Sequence, residues 1–317
     1  MERILLVDTM GSLFYHFHTK EVQVTASFLS NLQSIIATYK INQVYMLQEG
    51  GSGYRNELLP TYKAARKARR EKYTEAEKAA YATFVEAANY TCEVLRMLGV
   101  GTIQHWGAEA DDLAGYICSV LPSEEYQILL MNEDSDWQQL LCRKNTVWGS
   151  YKAMAKAMPK LSPDLWVSYN RYQRDNDWTV EQSYQAKLLC GDTSDSIPGI
   201  DGLGTTGAAN LIKHYGSLEE VLRNADNIAV PRITSKAKEG LLQATPTLEL
   251  GHKLMNLRWA PKEWERILKL TDEHKEKLFD QPEMKLDEFK EKCYENGWLA
   301  FTDDDWLEPF KKFVPFV

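Results

Sequence analysis

Ile4-Leu5-Leu6-Val7-Asp8 is a short apolar run closed by a carboxylate. A continuous run of this length, rich in branched side chains, reads as a buried strand. Three further runs resemble it: Val44 to Leu47, Val100 to Gln104 and Gln127 to Met131. Between and after them lie helix-forming stretches, Phe28 to Tyr39, residues 75 to 98, Asp111 to Leu121 and Trp137 to Cys142. Strand and helix in alternation predict an α/β fold, a doubly wound and mostly parallel sheet with right-handed crossovers.

In such a sheet, ligands bind beyond the carboxyl ends of the strands. The residues there are acidic each time. Asp8 closes the first run, Glu49 follows the second, Glu109, Asp111 and Asp112 follow the third, and Asp134 and Asp136 follow the fourth. Asp192 and Asp195, in Gly191-Asp-Thr-Ser-Asp-Ser196, add another pair. Taken singly, an acid at a helix start is most often a cap or a partner of the helix dipole. Taken jointly, these nine carboxylates would repel one another unless divalent cations stood among them. All-oxygen ligation with retained waters suits Mg²⁺ or Mn²⁺. Two such ions about 3.5–4 Å apart activate water and stabilise the leaving oxygen in phosphodiester hydrolysis. The histidines lack ligand spacing, and no Gly-x-Ser-x-Gly or Cys/His arrangement offers a nucleophile. Asp303-Asp304-Asp305 follows no strand and reads as a solvated turn or cap.

The net charge of −8 argues against nucleic acid only if its distribution is ignored, since affinity for DNA comes from local Lys and Arg. Residues 63 to 72 hold six bases against one acid. A phosphate clamp is the functional reading of this segment, and a solvated helix face the plain one. Gly202-Leu-Gly204-Thr205-Thr206-Gly207 follows Ile-Pro-Gly-Ile-Asp rather than a strand, so it is not a dinucleotide fingerprint. Between two helices it reads as a hairpin whose backbone N–H groups receive a phosphate, or as a structural turn. The expected layout is an α/β domain over 1–179, a helical subdomain over 180–270, and a C-terminal helix and tail over 271–317. Five scattered cysteines indicate neither disulfides nor zinc. No apolar run approaches the roughly 18–20 residues of a membrane span, and the N-terminus leads straight into the first strand, so a cytoplasmic location is expected.

Together these motifs resemble the flap endonuclease and 5′ to 3′ exonuclease family, which includes phage-encoded nucleases and the 5′ nuclease domains of bacterial DNA polymerase I. The likeness is collinear over roughly residues 3 to 250. Ile4 to Asp8 is similar to the family's first strand and first ligand, and Leu59-Pro-Thr-Tyr62-Lys63 with Arg66 to the entry of its helical arch. Gly107 to Asp112, Asp134 to Leu141, and Gly191 to Gly204 resemble its later acidic motifs and the helix-three-turn-helix element. Three residues depart from the pattern: Glu49 where Asp is normal, Thr205-Thr206 where relatives often carry a Lys, and Ser135 where Gly is usual.

The resemblance implies a PIN-like sheet with an arch at about residues 55–90. It implies one metal group of Asp8, Glu49, Glu109 and Asp111, another of Asp134, Asp136, Asp192 and Asp195, and support from Asp112. Lys63 and Arg66 would orient the scissile phosphate; Tyr62, Lys67, Arg69, Arg70 and Gly202, Gly204, Thr205, Thr206 and Gly207 would hold DNA, with K⁺ at the hairpin. The implied reaction is in-line hydrolysis near 5′ ends of branched, nicked or 5′-flapped DNA, extending to RNA in RNA–DNA hybrids. A host-bacterial cytoplasm is implied for phage-encoded members, and a monomer working beside a polymerase, clamp or single-strand-binding protein. A PIN-type ribonuclease would share the carboxylates but lack the arch and hairpin. A phosphatase using Asp8 as nucleophile would want an acid where Met10 stands. A catalytically silent DNA-binding relative would follow if Glu49 could not serve as a ligand.

Overall fold

The computed structural model of the protein describes residues 1–18 and 23–313. Its sheet has six strands, β1 (Glu2–Asp8), β2 (Gln43–Gln48), β3 (Gly101–Gln104), β4 (Tyr126–Met131), β5 (Thr146–Gly149) and β6 (Val167–Ser168), in the order β3-β2-β1-β4-β5-β6. β1 to β5 run parallel, and β6 is antiparallel on β5. β1 lies in the middle, with Leu5 opposite Val44 on one side and Leu129 on the other.

The unbroken apolar run of β1 follows from this position, because both of its faces are covered. Leu5 and Val7 point into a core with Phe28, Leu32, Phe84, Leu95 and Phe289. Ile4 and Leu6 alternate to the opposite face, where the helix Ala110–Val120 packs. All four are fully buried, each worth roughly 1.5–3 kcal/mol of transfer free energy. β5 and β6 were not among the expected strands. The stretch Trp137 to Cys142, expected as helical, lies in a 3₁₀ helix over Ser135–Cys142.

Two compact units share the described chain. The first contains residues 1–51, 75–168 and those from 259 onward; the second contains Ser52–Thr74 and Tyr169–Arg258. These bounds differ from the expected divisions at 179 and 270. They also split the expected arch, because its two halves bury different side chains. Tyr62 sits in the core of the second unit with Tyr184, Leu188 and Ile212. Phe84, Ala88, Cys92 and Leu95 of the helix Glu75–Met97 pack in the first. The C-terminal aromatics join that first core: Phe289 and Phe310 are fully buried, and the Phe289 and Trp306 rings stack at 5.9 Å. Asp303 caps the helix Asp304–Leu307 by accepting the Asp305 N–H at 2.8 Å, the cap read from the sequence.

The second unit is helical. Its helix Val180–Cys190 begins in a capping box, in which Thr179 accepts the Gln182 N–H at 3.1 Å and Gln182 accepts the Thr179 N–H at 2.9 Å. The helix stops at Gly191, whose φ of +70° and whose position leave no room for a side chain: a Cβ there would lie 2.4 Å from the Gly199 nitrogen. The turn that carries Asp192 and Asp195 starts from this glycine.

Candidate metal and nucleic-acid sites

In the first unit the carboxylates gather because consecutive loops at the carboxyl edge of the sheet are tied together. Asp8 ends β1 and accepts the Gly11 N–H at 3.1 Å. A Cβ on Gly11 would lie 2.5 Å from Asp8 Oδ2, so the glycine is what lets this carboxylate stand where it does. Just past Glu49, the Gly50 N–H donates to the Ala108 carbonyl and the Gly107 N–H to the Gly50 carbonyl, both at 2.8 Å. These bonds lock the end of β2 to the loop leading into Glu109.

Glu109 is buried at the N-cap of the helix Ala110–Val120 and donates its N–H to Asp112 Oδ2 at 2.9 Å. Asp112 is fully buried in that capping box; its visible work is to close the helix start, the plain reading of an acid there. Asp111 accepts the Trp137 indole N–H at 2.6 Å, and Asp134 accepts the Asp136 N–H at 2.8 Å. Trp137, fully buried, orients Asp111 and was not singled out in the sequence. Its signal was its place directly after Asp134-Ser-Asp136.

The electrostatics of this edge are those of anions left together. Burial, with repulsion from Asp134 and Glu133, pushes the Asp8 carboxyl up to about 6, although N–H groups of Gly11 and Met10 oppose it. Burial and then Asp134, Glu109 and Glu49 hold Asp111 well above the usual carboxylate range, against the Trp137 hydrogen bond. No described Lys, Arg or His forms an ion pair with Asp8, Asp111 or Asp134. Among the described residues, no three ligand side chains are drawn onto one centre as they stand. The donor set is nonetheless hard, oxygen-only and short of positive charge, which is the chemistry a hard divalent cation fits.

The acids of the second unit carry their own cations. Asp192 is bonded to Lys187 Nζ at 3.0 Å and to the Ser194 hydroxyl at 2.6 Å. Burial raises its pKa, but Ser194 and Lys187 outweigh that and bring it to about 2. Asp195 meets Arg66 at 2.6 Å and the Tyr62 hydroxyl at 3.1 Å, and its carbonyl accepts the Lys63 N–H at 2.9 Å. Arg66, expected on a phosphate, thus rests on Asp195. Lys63 starts the helix Ala64–Glu71 in a left-handed conformation, φ +56°, with its ammonium 5.2 Å from the Tyr62 ring. Lys67, Arg69 and Arg70 stand exposed on that helix, which buries no residue. The glycine hairpin forms as expected: Gly202 takes φ +76°, and Gly204 starts the helix Thr205–Tyr215 with no side chain capping it. The hairpin from Gly202 to Gly207 lines a hollow of about 270 Å³ together with Ile233 and Arg232, an exposed base the sequence reading missed.

A parallel sheet with a row of carboxylates on its carboxyl edge, joined in the same chain to a basic helix and a glycine hairpin, has the parts of a nucleic-acid hydrolase. Residues 3–164, just over half of the chain, match the 5′-3′ exonuclease N-terminal resolvase-like domain, and residues 178–276 match the 5′-3′ exonuclease C-terminal SAM fold. The chain belongs to the 5′-3′ exonuclease family, and is therefore a 5′ nuclease. It is 27% identical over 231 residues to the flap endonuclease of Escherichia phage T5, covering 72% of this chain and 74% of that protein. It is 31% identical over 211 residues to DNA polymerase I of Caldicellulosiruptor bescii, covering 64% of this chain and 24% of the polymerase. The chain therefore spans most of the phage enzyme's length and about a quarter of the polymerase's.

Two solved structures show the fold. Phage T5 5′-exonuclease with bound zinc superposes with a TM-score of 0.71 at 23% identity, covering 93% of this chain and 99% of that one. The Rad2 catalytic core in complex with DNA substrate gives 0.55 at 14% identity, covering 98% and 91%. Among the described residues no helix is long and apolar enough to cross a membrane.

Glu49 tests the departure from the expected Asp. Glu49→Asp should keep cleavage and shift its Mg²⁺ or Mn²⁺ dependence, whereas Glu49→Ala should lose most of it. Metal titrations of cleavage rate decide this, and an alanine variant indistinguishable from wild type at every metal concentration removes Glu49 from the ligands.

Proposed function

We propose that this 5′ nuclease cuts branched, nicked and 5′-flapped DNA with Mg²⁺, or Mn²⁺ in its place, and also removes RNA from RNA–DNA hybrids. The observation that carries the metal reading is the set of Asp8, Asp111 and Asp134, in which Asp134 repels both of the others and no described base forms an ion pair with any of them. Glu49, Glu109 and Asp136 complete the ligands proposed for the first unit. Asp192 and Asp195 remain proposed ligands, and to serve they must exchange Lys187 and Arg66 for a cation. Divalent cations, when bound, would ease deprotonation of the attacking water and balance charge on the leaving oxygen.

The chain's own residues do the rest. Asp8 must give up its proton to act as a ligand. Trp137 fixes the rotamer of Asp111. Lys63, and Arg66 once released, orient the phosphate and offset developing charge. Lys67, Arg69 and Arg70 hold phosphates without reading sequence. Thr205, Thr206 and the hairpin glycines offer backbone N–H groups to a further phosphate, with Arg232 beside them and K⁺ as the accompanying ion.

Incubation with a labelled 5′-flap duplex tests the reading. Cleavage near the junction that needs Mg²⁺ and stops with EDTA is expected; cutting of single-stranded RNA with indifference to the flap would favour a PIN-type ribonuclease instead. The pH dependence should follow Asp8. At low Mg²⁺ the rate should rise as pH climbs through about 6, and the midpoint should move down as Mg²⁺ is increased, because cation and proton compete for the same oxygens. A rate flat from pH 5 to 8 on the order of these values would exclude an ionising ligand.

A further inference from the structure

We infer that Trp106 is a stacking platform for a nucleobase next to the cleaved bond; the inference rests on the nuclease reading above and adds a specificity-determining residue to it. Trp106 is 85% exposed, more than any other large hydrophobic residue described. Among the described residues no ring stacks on it. An indole presents a large apolar face that a stacked ring can cover.

The loop that carries it is held from three sides. The Ala108 N–H closes a turn on the His105 carbonyl at 3.1 Å. Gly107, φ +82°, takes the left-handed conformation that such a turn demands, which leaves Trp106 at the apex. Gly50 is bonded to Gly107 and Ala108 on one side, and packs so closely that a Cβ on it would lie 1.8 Å from the His105 carbonyl oxygen. On the other side the His105 ring bonds the Leu268 carbonyl at 2.8 Å and packs on His274 at 4.8 Å. The exposed ring therefore has a fixed base.

The same loop leads into Glu109 and is bonded through Gly50 to the chain just past Glu49. Trp106 precedes Glu109 by three residues, a span of at most about 10 Å. A strand rises about 3.4 Å per nucleotide, so the Trp106 Cα lies within about three nucleotide steps of the Glu109 Cα. Every base presents a π-face, so the contact favours an unpaired or terminal base without choosing its identity.

Binding of a 5′-flap duplex to the full chain in EDTA, with single abasic sites placed in turn around the junction, tests this. Trp106→Ala should weaken binding about five-fold or more, the fold-change that corresponds to about 1 kcal/mol of stacking, and Trp106→Phe should restore most of it. One abasic position within about three nucleotides of the cleaved bond should cost the wild type a similar factor and cost Trp106→Ala nothing further. Equal affinity of Trp106→Ala and wild type, or a deficit that no abasic position removes, overturns the inference. Cleavage by the wild type with Mg²⁺ reports separately on the nuclease reading: an active wild type with an indifferent Trp106 sinks the platform alone.

Discussion

Asp8→Asn is expected to raise the melting temperature of the metal-free protein while cutting DNA cleavage by about 10³-fold or more, because a lost ligand forfeits several kcal/mol of charge stabilisation. The two effects have one cause. Asp8 titrates near 6 in the fold, against 3.8 when unperturbed. Between those values the folded chain keeps a proton that the unfolded chain releases, so stability falls as pH rises across the window. Above about 6 the fold carries the full cost of the ionised group, up to about 3 kcal/mol at 1.36 kcal/mol per pH unit. Asparagine removes that cost at neutral pH. Mg²⁺ should reverse the ranking, since it stabilises only a chain that binds it. Thermal melts at pH 7.5 on the order of micromolar protein, with EDTA and with Mg²⁺, beside single-turnover cleavage, read both effects. Unaltered melting in EDTA, or cleavage that survives, would remove Asp8 from the ligands.

Lys63→Ala should lower the single-turnover rate by about 10² or more with little loss of affinity, because a base that meets the scissile phosphate contributes most in the transition state. The Lys63 backbone is pinned by the Asp195 carbonyl at 2.9 Å and set left-handed at φ +56°, a conformation the fold must hold against strain. Lys67 and Arg70 stand exposed on the helix Ala64–Glu71, which buries no residue. Substituting either should chiefly weaken binding and reduce the salt slope by about one unit. If Lys63→Ala loses affinity alone, Lys63 belongs with these peripheral bases.

The sheet was legible because burial on both faces leaves a plain mark. Ile4 to Val7 and Gln127 to Met131 could satisfy no other environment as well. β5 escaped because Thr146–Gly149 has four residues, two of them only half-buried, and β6 has two. Such strands are fixed by their neighbours rather than by their own pattern. The acids at the strand ends were legible by position, whereas their partners were not. That Asp112 closes a cap while Asp111 leans on Trp137 depends on which way adjacent carbonyls and side chains turn, information a spacing does not hold. The ion pairs of Asp195 with Arg66 and of Asp192 with Lys187 were hidden for the same reason. The unit boundaries depend on which core receives Tyr62 and which receives Phe84, and both are simply apolar in sequence.

The split of the second unit into Ser52–Thr74 and Tyr169–Arg258 sets an order of events during synthesis. The ribosome makes the basic helix early, yet the side chains that bury Tyr62, among them Tyr184, Leu188 and Ile212, arrive only after the intervening stretch. At about 5–20 residues per second, the delay is on the order of ten seconds. Before that interval ends the strands from β1 to β4 all exist as chain and can pair, while the cationic segment still lacks the core that receives Tyr62. A nascent chain therefore acquires its acidic edge before the Asp195 anchor that holds Lys63 and Arg66, and truncation anywhere before residue 195 leaves those bases untethered.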